Sequence, residues 1–319
     1  LTKLPVPLFG FEEVVNRLQQ RIHGTTLEIN LNALTHNYNF YKKLISPKTK
    51  VMVMVKAFAY GGGAVEIANQ IQTMGANYLG VAFSDEGVAL RKQGIKLPIM
   101  VLNAMQESFG LCSEFDLEPV VFSPEFFESL ASWCTVHGTT MRIHLDMDTG
   151  MHRLGFDRKQ LDKLKSLIQS NPQLEIASIY THLVGADEDI HREFSLSQLK
   201  DFEEMKNGVI DILSYKPLVH ALNSAGIVAF PEFQFDMVRL GIGLYGVEVT
   251  GKHDLPLRAN VCMDMCMVDV SGMEVKAGDE AIIYGEKISL KELADQIGTI
   301  PYELLTNIST RVKRVYYLD

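Results

Sequence analysis

Eight short β-rich runs, each separated from the next by a segment of helical pattern, restrict this chain to very few folds. The runs are VMVMVKA at 51–57, YLGVAF at 78–83, PIMVL at 98–102, EPVVF at 118–122, MRIHLDM at 141–147, IASIYTHL at 176–183, LVHALNS at 218–224 and MVRLGIGLYG at 237–246. Intervening segments such as GAVEIANQIQTMGA and FDRKQLDKLKSLIQSNP repeat their apolar residues at helical spacing. Apolar strands alternating with helices predict a parallel sheet covered on its outer face. Eight repeats in about 200 residues predict a closed (β/α)8 barrel of the TIM type over residues 51–246. An open, doubly wound sheet is the alternative that the pattern leaves.

Two regions fall outside the repeat. TTLEINL at 25–31 reads as an isolated strand, and the helical NALTHNYNFYKKLI follows it within residues 25–50. After Tyr245 the helical patterns largely stop. ANVCMDMCMVDV at 259–270 and EAIIYGE at 280–286 read as strands, with turn residues Gly278 and Asp279 between them. We expect a second, β-rich C-terminal domain over 247–319 that also takes the N-terminal strand. Residues 1–24 read as a lead-in helix or linker, because FEEVVNRLQQRI has helical spacing. The chain begins with Leu1 rather than Met, which points to a piece of something longer.

Composition narrows the function classes. A net charge of −9 argues against nucleic acid and anionic membrane as partners. No apolar stretch approaches the roughly 18 residues needed to span a bilayer, and the start has no signal-peptide pattern. Cys112, Cys134, Cys262 and Cys266 do not form a disulfide framework in a chain this long. The CxxxC spacing of the last two lacks the second pair or histidine cluster of a metal site. A reducing, cytoplasmic compartment follows as the expectation.

The chemistry centres on Lys56. A lysine at the end of a buried strand is poorly solvated, which lowers its pKa and frees the amine as a nucleophile. Such a lysine is how pyridoxal phosphate (PLP) is held as a Schiff base. The bland alternative is a strand-end lysine reaching back to solvent. Other polar residues collect at the same ends of later strands, where barrels of this kind do their chemistry. Tyr60 follows the first strand. Asp146, Asp148 and Arg153 follow the fifth, His182 the sixth, Asn223 and Ser224 the seventh, and Arg239, Gly241 and Ile242 belong to the eighth. Each has a bland reading: a core histidine, a turn aspartate, helix caps, a paired arginine. Together they describe a lysine facing a phosphate cradle after strands seven and eight.

VKAFAYGGG, HLDMDTGMHRLGF, YTHLVGADE, HALNSAG, MVRLGIGLYG, VCMDM and TIPYELLTNIS occur in that order. They resemble the signature segments of the alanine racemase family over residues 25–246 and 255–319. The resemblance implies a PLP-dependent enzyme that interconverts L- and D-alanine for peptidoglycan synthesis, as a homodimer with shared active sites. It implies that Lys56 carries the cofactor and acts as one base. Tyr60, Asn223, Ser224, Gly241, Ile242 and Tyr302 would bind the cofactor, chiefly at its phosphate. Arg239 would sit against the pyridine nitrogen and, being always protonated, would leave that nitrogen without a proton. His182 would support Arg239. Arg153 and Met263 would contact the substrate. The motif wording and the lead-in helix resemble a fused form, in which the racemase follows a UDP-N-acetylmuramoyl-tripeptide–D-alanyl-D-alanine ligase in one polypeptide.

Two positions depart from the family pattern. Where many members have a carbamylated lysine, this chain has Asp146, which would supply an anion without modification. The second departure lies between Val249 and Cys262, where LYGVEV runs almost directly into TGKHDLPLRANVCMDM. The family's GYADG-like segment, whose tyrosine is the second catalytic base, is missing there. PLP binding could survive that loss while racemisation is impaired, by about 10²–10⁴-fold for one acid–base group. A non-catalytic PLP-binding barrel is therefore the alternative reading. A PLP decarboxylase fits less well, since those enzymes place an acid where this chain has Arg239.

Overall fold

The structure, a computed structural model, describes residues 26–247, 259–261, 266–268, 272–276, 279, 281–285, 288–309 and 312–318. Each apolar run of the repeat forms a strand. They are β2 (Lys50–Met54), β3 (Tyr78–Val81), β4 (Ile99–Val101), β5 (Leu117–Val121), β6 (Met141–Asp146), β7 (Leu174–Tyr180), β8 (Leu218–His220) and β9 (Met237–Leu240). β1 (Thr26–Asn30) precedes them. The eight lie parallel in the order β8-β7-β6-β5-β4-β3-β2-β9. The two ends of this order meet. Asp236 N–H donates to Val219 O at 3.0 Å, and Arg239 N–H donates to Leu222 O at 2.9 Å. These bonds tie β9 to the end of β8, so the sheet curls into a nearly closed barrel and the open sheet is excluded.

The runs are apolar on both faces because both faces are covered. The larger core lies between strands and helices and includes Ile67, Leu79, Phe127, Leu145 and Phe202. Burying a side chain of this size is worth about 1.5–3 kcal/mol each. A smaller cluster fills part of the barrel interior with Met52, Met54, Met100, Tyr180 and Met237. The outer helices are α1 (Leu31–Leu44), α2 (Ala64–Thr73), α3 (Ser84–Lys92), α4 (Phe109–Glu114), α5 (Pro124–His137), α6 (Leu161–Ser170), α7 (Arg192–Ile210) and α8 (Ser224–Ala229). Local chemistry starts them. Asn30 Oδ1 accepts from the N–H groups of Asn32 and Ala33, and Ser123 Oγ accepts from Phe126 N–H ahead of Pro124.

Several strands stop short of their runs. β2 ends at Met54, β7 at Tyr180, β8 at His220 and β9 at Leu240. Lys56, His182, Asn223, Gly241 and Ile242 therefore stand on the loops beyond the strands, and Ser224 opens α8. Those loops all leave the same, C-terminal end of the barrel.

The C-terminal part is a separate unit, and it takes β1 as expected. β1 pairs in parallel with β12 (Lys313–Tyr317), Thr26 opposite Lys313 and Asn30 opposite Tyr317. β10 (Ala259–Val261) and β11 (Cys266–Val268) form an antiparallel pair within the 259–270 run. Two readings of this region are corrected, the strand at 280–286 and the stop of helical patterns after Tyr245. Residues 281–285 of EAIIYGE carry no strand, and two helices follow, α9 (Leu290–Ile297) and α10 (Pro301–Thr306). The reason is local. Ser289 Oγ accepts from Glu292 N–H at 3.2 Å while Glu292 Oε2 accepts from Ser289 N–H at 2.7 Å, a reciprocal cap that starts α9. Pro301 takes the first position of α10, where its missing N–H costs nothing. The expected lead-in helix at 1–24 and the centre of VCMDM, with Cys262 and Met263, lie outside the described residues.

Candidate active site

Lys56 opens a turn of unusual hand. Ala57, Phe58, Ala59 and Tyr60 follow it with φ of 52°, 57°, 52° and 54°. Four successive L-residues thus form one left-handed helical turn. Each costs roughly 1–2 kcal/mol, so the neighbours must hold it. Ala59 N–H donates to Val55 O at 2.9 Å, Gly61 N–H to Ala57 O at 3.0 Å and Gly63 N–H to Phe58 O at 2.9 Å. Glu86 Oε1, from α3, accepts from Ala57 N–H at 2.7 Å. The C-terminal strand adds a clamp. Arg314 Nε donates to Gly61 O at 2.9 Å, Tyr316 Oη donates to Gly62 O at 2.7 Å, and the Arg314 guanidinium lies 5.5 Å from the centre of the Phe58 ring.

The turn places Lys56 at the barrel mouth and Tyr60 inside it. Burial, and then the charge of Arg153, lower the pKa of Lys56; Glu86 opposes them and Arg239 adds to them. The Tyr60 ring lies 4.5 Å from that of Tyr245 and 5.8 Å from that of Tyr302 on α10, so the C-terminal unit reaches this corner. A Cβ on Gly241 would meet Tyr60 Oη at 2.9 Å and Ser224 Oγ at 3.8 Å. Ser224 Oγ accepts from the N–H groups of Gly241, at 2.9 Å, and Gly243, at 3.2 Å. Tyr60, Ser224, Gly241 and the buried Ile242 beside it thus converge. Asn223 takes its bland role as well: Oδ1 caps α8 by accepting from Gly226 N–H at 2.9 Å, and Nδ2 reaches Leu183 O at 3.5 Å.

Arg239 is 4 % exposed, and both of its terminal nitrogens are engaged. Nη1 donates to His220 Nδ1 at 2.7 Å; Nη2 donates to Thr181 O at 2.8 Å, to Ala221 O at 2.9 Å and to His182 Nδ1 at 3.3 Å. Burial lowers its pKa to about 10. His182 is pushed down to about 3 by burial and by the charges of Arg239, Arg153 and Lys56, so it stays neutral. Burial raises Asp146 to about 7, against a hydrogen bond from Tyr180 and the charges of Arg239 and Arg153. Asp146 is therefore an anion only in part near neutral pH. Arg153 is exposed on the loop after β6, close enough for its charge to act on Lys56, His182 and Asp146. Asp148 proves to be a turn residue: its Oδ1 accepts from the N–H groups of Gly150 and His152, both at 3.0 Å.

Sequence reading did not single out His220 and Tyr180, which touch Arg239. Both lie in runs taken as plain strands. A histidine or tyrosine at an inward position of a buried strand must find a partner, and that requirement was the available signal.

This geometry agrees with the comparisons to known proteins. Residues 29–249 match the family described as alanine racemase, N-terminal domain, and residues 243–316 match alanine racemase, C-terminal domain. The chain belongs to the alanine racemase family. It is 32% identical to the alanine racemase of Methanococcus maripaludis, over 92% of this chain and 99% of that protein. Among solved structures it resembles alanine racemase of Clostridium difficile 630, with a TM-score of 0.85 and 28% identity over 93% of this chain and 96% of that one. It also resembles alanine racemase from Bartonella henselae with covalently bound pyridoxal phosphate, with a TM-score of 0.82 and 25% identity over 93% of this chain and 100% of that one. The alignment to the M. maripaludis racemase spans 373 residues and this chain has 319. Their difference means that at least 54 aligned positions have no counterpart here.

Two predictions follow from the local physics. Gly61 has φ +81°, and a Cβ there would overlap the Leu305 carbonyl oxygen on α10; Gly75 has φ +79° with open space around it. Gly75→Ala should cost about 1 kcal/mol in urea denaturation, and Gly61→Ala at least about 2 kcal/mol, because the second adds a clash with backbone to the same backbone penalty. The other concerns Asp146, whose folded pKa of about 7 lies above its unfolded value. The native state keeps a proton there that the unfolded chain has lost, so this contribution to stability is fully present below about pH 4 and is lost as pH rises through about 7. Asp146→Asn in cofactor-free protein should gain stability over the parent at about pH 8, by at most about 4 kcal/mol, and the gap should close toward about pH 4. Urea melts of both proteins across that range check it.

Proposed function

We propose that this chain is a pyridoxal phosphate-dependent alanine racemase that interconverts L- and D-alanine for peptidoglycan synthesis. One observation carries the reading. A lysine of lowered pKa stands at the same barrel end as a cradle of Tyr60, Ser224 and Gly241 and a buried arginine that can only donate. We further read the protein as a cytoplasmic homodimer with shared active sites. Residues 51–246 would form the barrel, residues 247–319 with the N-terminal strand the second domain, and residues 1–24 a lead-in. The motif wording supports a native form fused to a UDP-N-acetylmuramoyl-tripeptide–D-alanyl-D-alanine ligase, which the size of the protein made in its own cells tests.

The residues present fit the cofactor. Ser224 Oγ accepts from the N–H groups of Gly241 and Gly243, which leaves its own O–H to donate to a phosphate. Glycine at 241 leaves room that a Cβ would fill against Tyr60 Oη. When bound, pyridoxal phosphate supplies an electron sink that makes the Cα proton of the substrate acidic. Lys56 would bind the cofactor covalently and serve one face of Cα as base, a task its lowered pKa favours. Tyr60, Ser224, Gly241, Ile242 and Tyr302 would hold the phosphate, with Asn223 orienting that loop. Arg239 would donate to the ring nitrogen and take no proton from it. Neutral His182 supports Arg239 by accepting from it. Arg153 would bind the substrate carboxylate, steered by the ionised fraction of Asp146, and Met263 would add a backbone contact from the second domain.

The shortfall of at least 54 aligned positions bears on the second face of Cα. We place it after about residue 249, where the family carries its second base. Borohydride reduction of the loaded protein should fix a pyridoxyl group on Lys56, seen by peptide mapping, and Lys56→Ala should abolish both label and turnover. A label on any other lysine would sink the assignment.

The second base has its own test. Without it, Lys56 should exchange the Cα proton of one enantiomer with solvent deuterium while net racemisation falls by about 10²–10⁴-fold against a full-length family member. Exchange into each enantiomer and racemisation are to be followed on the same sample. Equal exchange into both enantiomers would show that another residue of this chain serves the second face.

A further inference from the structure

Five polar side chains line one side of the barrel interior, one from each of five adjacent strands. They are Glu118 on β5, His144 on β6, Ser178 on β7, His220 on β8 and Arg239 on β9. None is more than 4 % exposed. They touch in order. Arg239 Nη1 lies 2.7 Å from His220 Nδ1, His220 Nε2 lies 2.9 Å from Ser178 Oγ, and Ser178 Oγ lies 2.6 Å from His144 Nδ1. His144 Nε2 lies 2.9 Å from Glu118 Oε2, a close polar contact bent off the ring N–H axis. Beyond it, Glu118 Oε1 accepts from Arg142 Nη1 at 2.6 Å, and Arg142 Nη2 donates to Tyr78 Oη at 3.2 Å.

The chemistry of the two ends gives this chain one direction. Arginine has no acceptor, so His220 Nδ1 must accept and its proton must sit on Nε2. That proton goes to Ser178 Oγ. The single Ser178 proton is then free only for His144 Nδ1, which leaves the His144 proton on Nε2. An ionised carboxylate has no donor, so Glu118 can receive that proton and cannot oppose it. Burial works against ionisation of Glu118, but the close contact of His144 Nε2 and the charge of Arg142 outweigh it and hold the carboxyl below its ordinary range. Reversal of either ring would bring two donors face to face at Arg239 or leave a buried donor unpaired, and both are costly in a dry interior.

We propose that Glu118 is a positioning residue for Arg239, acting through His144, Ser178 and His220 to keep an unprotonated Nδ1 of His220 aimed at the guanidinium. The effect on the reaction rests on the reading of Arg239 as part of the cofactor site; the relay itself does not. Glu118 never touches the cofactor or the substrate. Arg239 itself fixes the tautomer of His220, and Glu118 holds the far end of the row that keeps this ring aimed at the guanidinium.

The test is nitrogen NMR of holoenzyme carrying ¹⁵N-labelled histidine, with Glu118→Leu and Glu118→Gln alongside the parent. In the parent, His144 and His220 should both show an unprotonated Nδ1 and a protonated Nε2. Glu118→Leu removes the terminal acceptor. It should move the signals of both histidines, shift the cofactor's visible absorption, and lower kcat by roughly ten- to a hundredfold with a smaller change in KM, the worth of one charge-assisted hydrogen bond expressed as rate. Glu118→Gln keeps an acceptor oxygen and should restore the tautomers and most of the rate. A proton on His220 Nδ1 in the parent overturns the proposal, and this holds even if the leucine variant fails to fold. Unchanged His220 signals in Glu118→Leu overturn it too. Moved His220 signals with unchanged absorption and rate support the relay and overturn the cofactor role of Arg239 instead.

Discussion

A guanidinium buried at the mouth of a barrel must have its donors matched, and Arg239 sets the terms for the residues around it. An unpaired buried charge is among the most costly features a fold can carry. Here two carbonyl oxygens and two histidines accept from it. Its charge helps to keep His182 and His220 neutral and inclines Lys56 toward the free amine. Its backbone N–H also closes the barrel onto the loop after β8. One residue thus helps to close the barrel and sets the electrostatics around it, so the seam of the sheet and the charged corner at the barrel mouth coincide.

The strands were legible in the sequence because eight apolar runs at regular spacing admit few arrangements. Their ends were not, because an apolar run continues past the last ladder bond into buried loop. Lys56 illustrates this: it was read as closing a strand, and it opens a left-handed turn two residues beyond Met54. Nothing in Ala-Phe-Ala-Tyr announces positive φ, since the residues that normally mark it are glycine and asparagine. The placement of Tyr60, Ser224 and Gly241 at one corner was legible, because barrel topology gathers strand ends. The relay from Glu118 to Arg239 was not. In strands buried on both faces the inward residues do not stand out by alternation, so His144, Ser178 and His220 read as interruptions in apolar runs.

The C-terminal unit has a closer tie to the site than its sequence suggested. Strand β12 and helix α10 bring Arg314, Tyr316, Leu305 and Tyr302 against the turn that follows Lys56. Four left-handed residues at roughly 1–2 kcal/mol each cost more than the turn's own hydrogen bonds return at about 0.5–1.5 kcal/mol each. The clamp therefore couples the docking of this unit to the position of the lysine. A chain that lacks at least 54 positions of a relative still keeps the two elements that perform this clamp.

The hand of that turn has one more consequence. The left-handed region is costly for L-residues because Cβ crowds the following carbonyl oxygen, and it is the relaxed region for their mirror images. Ala57 and Ala59 therefore hold their backbones in the shape that D-alanine adopts at rest. A chain of the alanine racemase family carries its lysine on a segment whose stereochemical preference runs against its own residues. The ribosome supplies one enantiomer there, and tertiary contacts supply the conformation of the other.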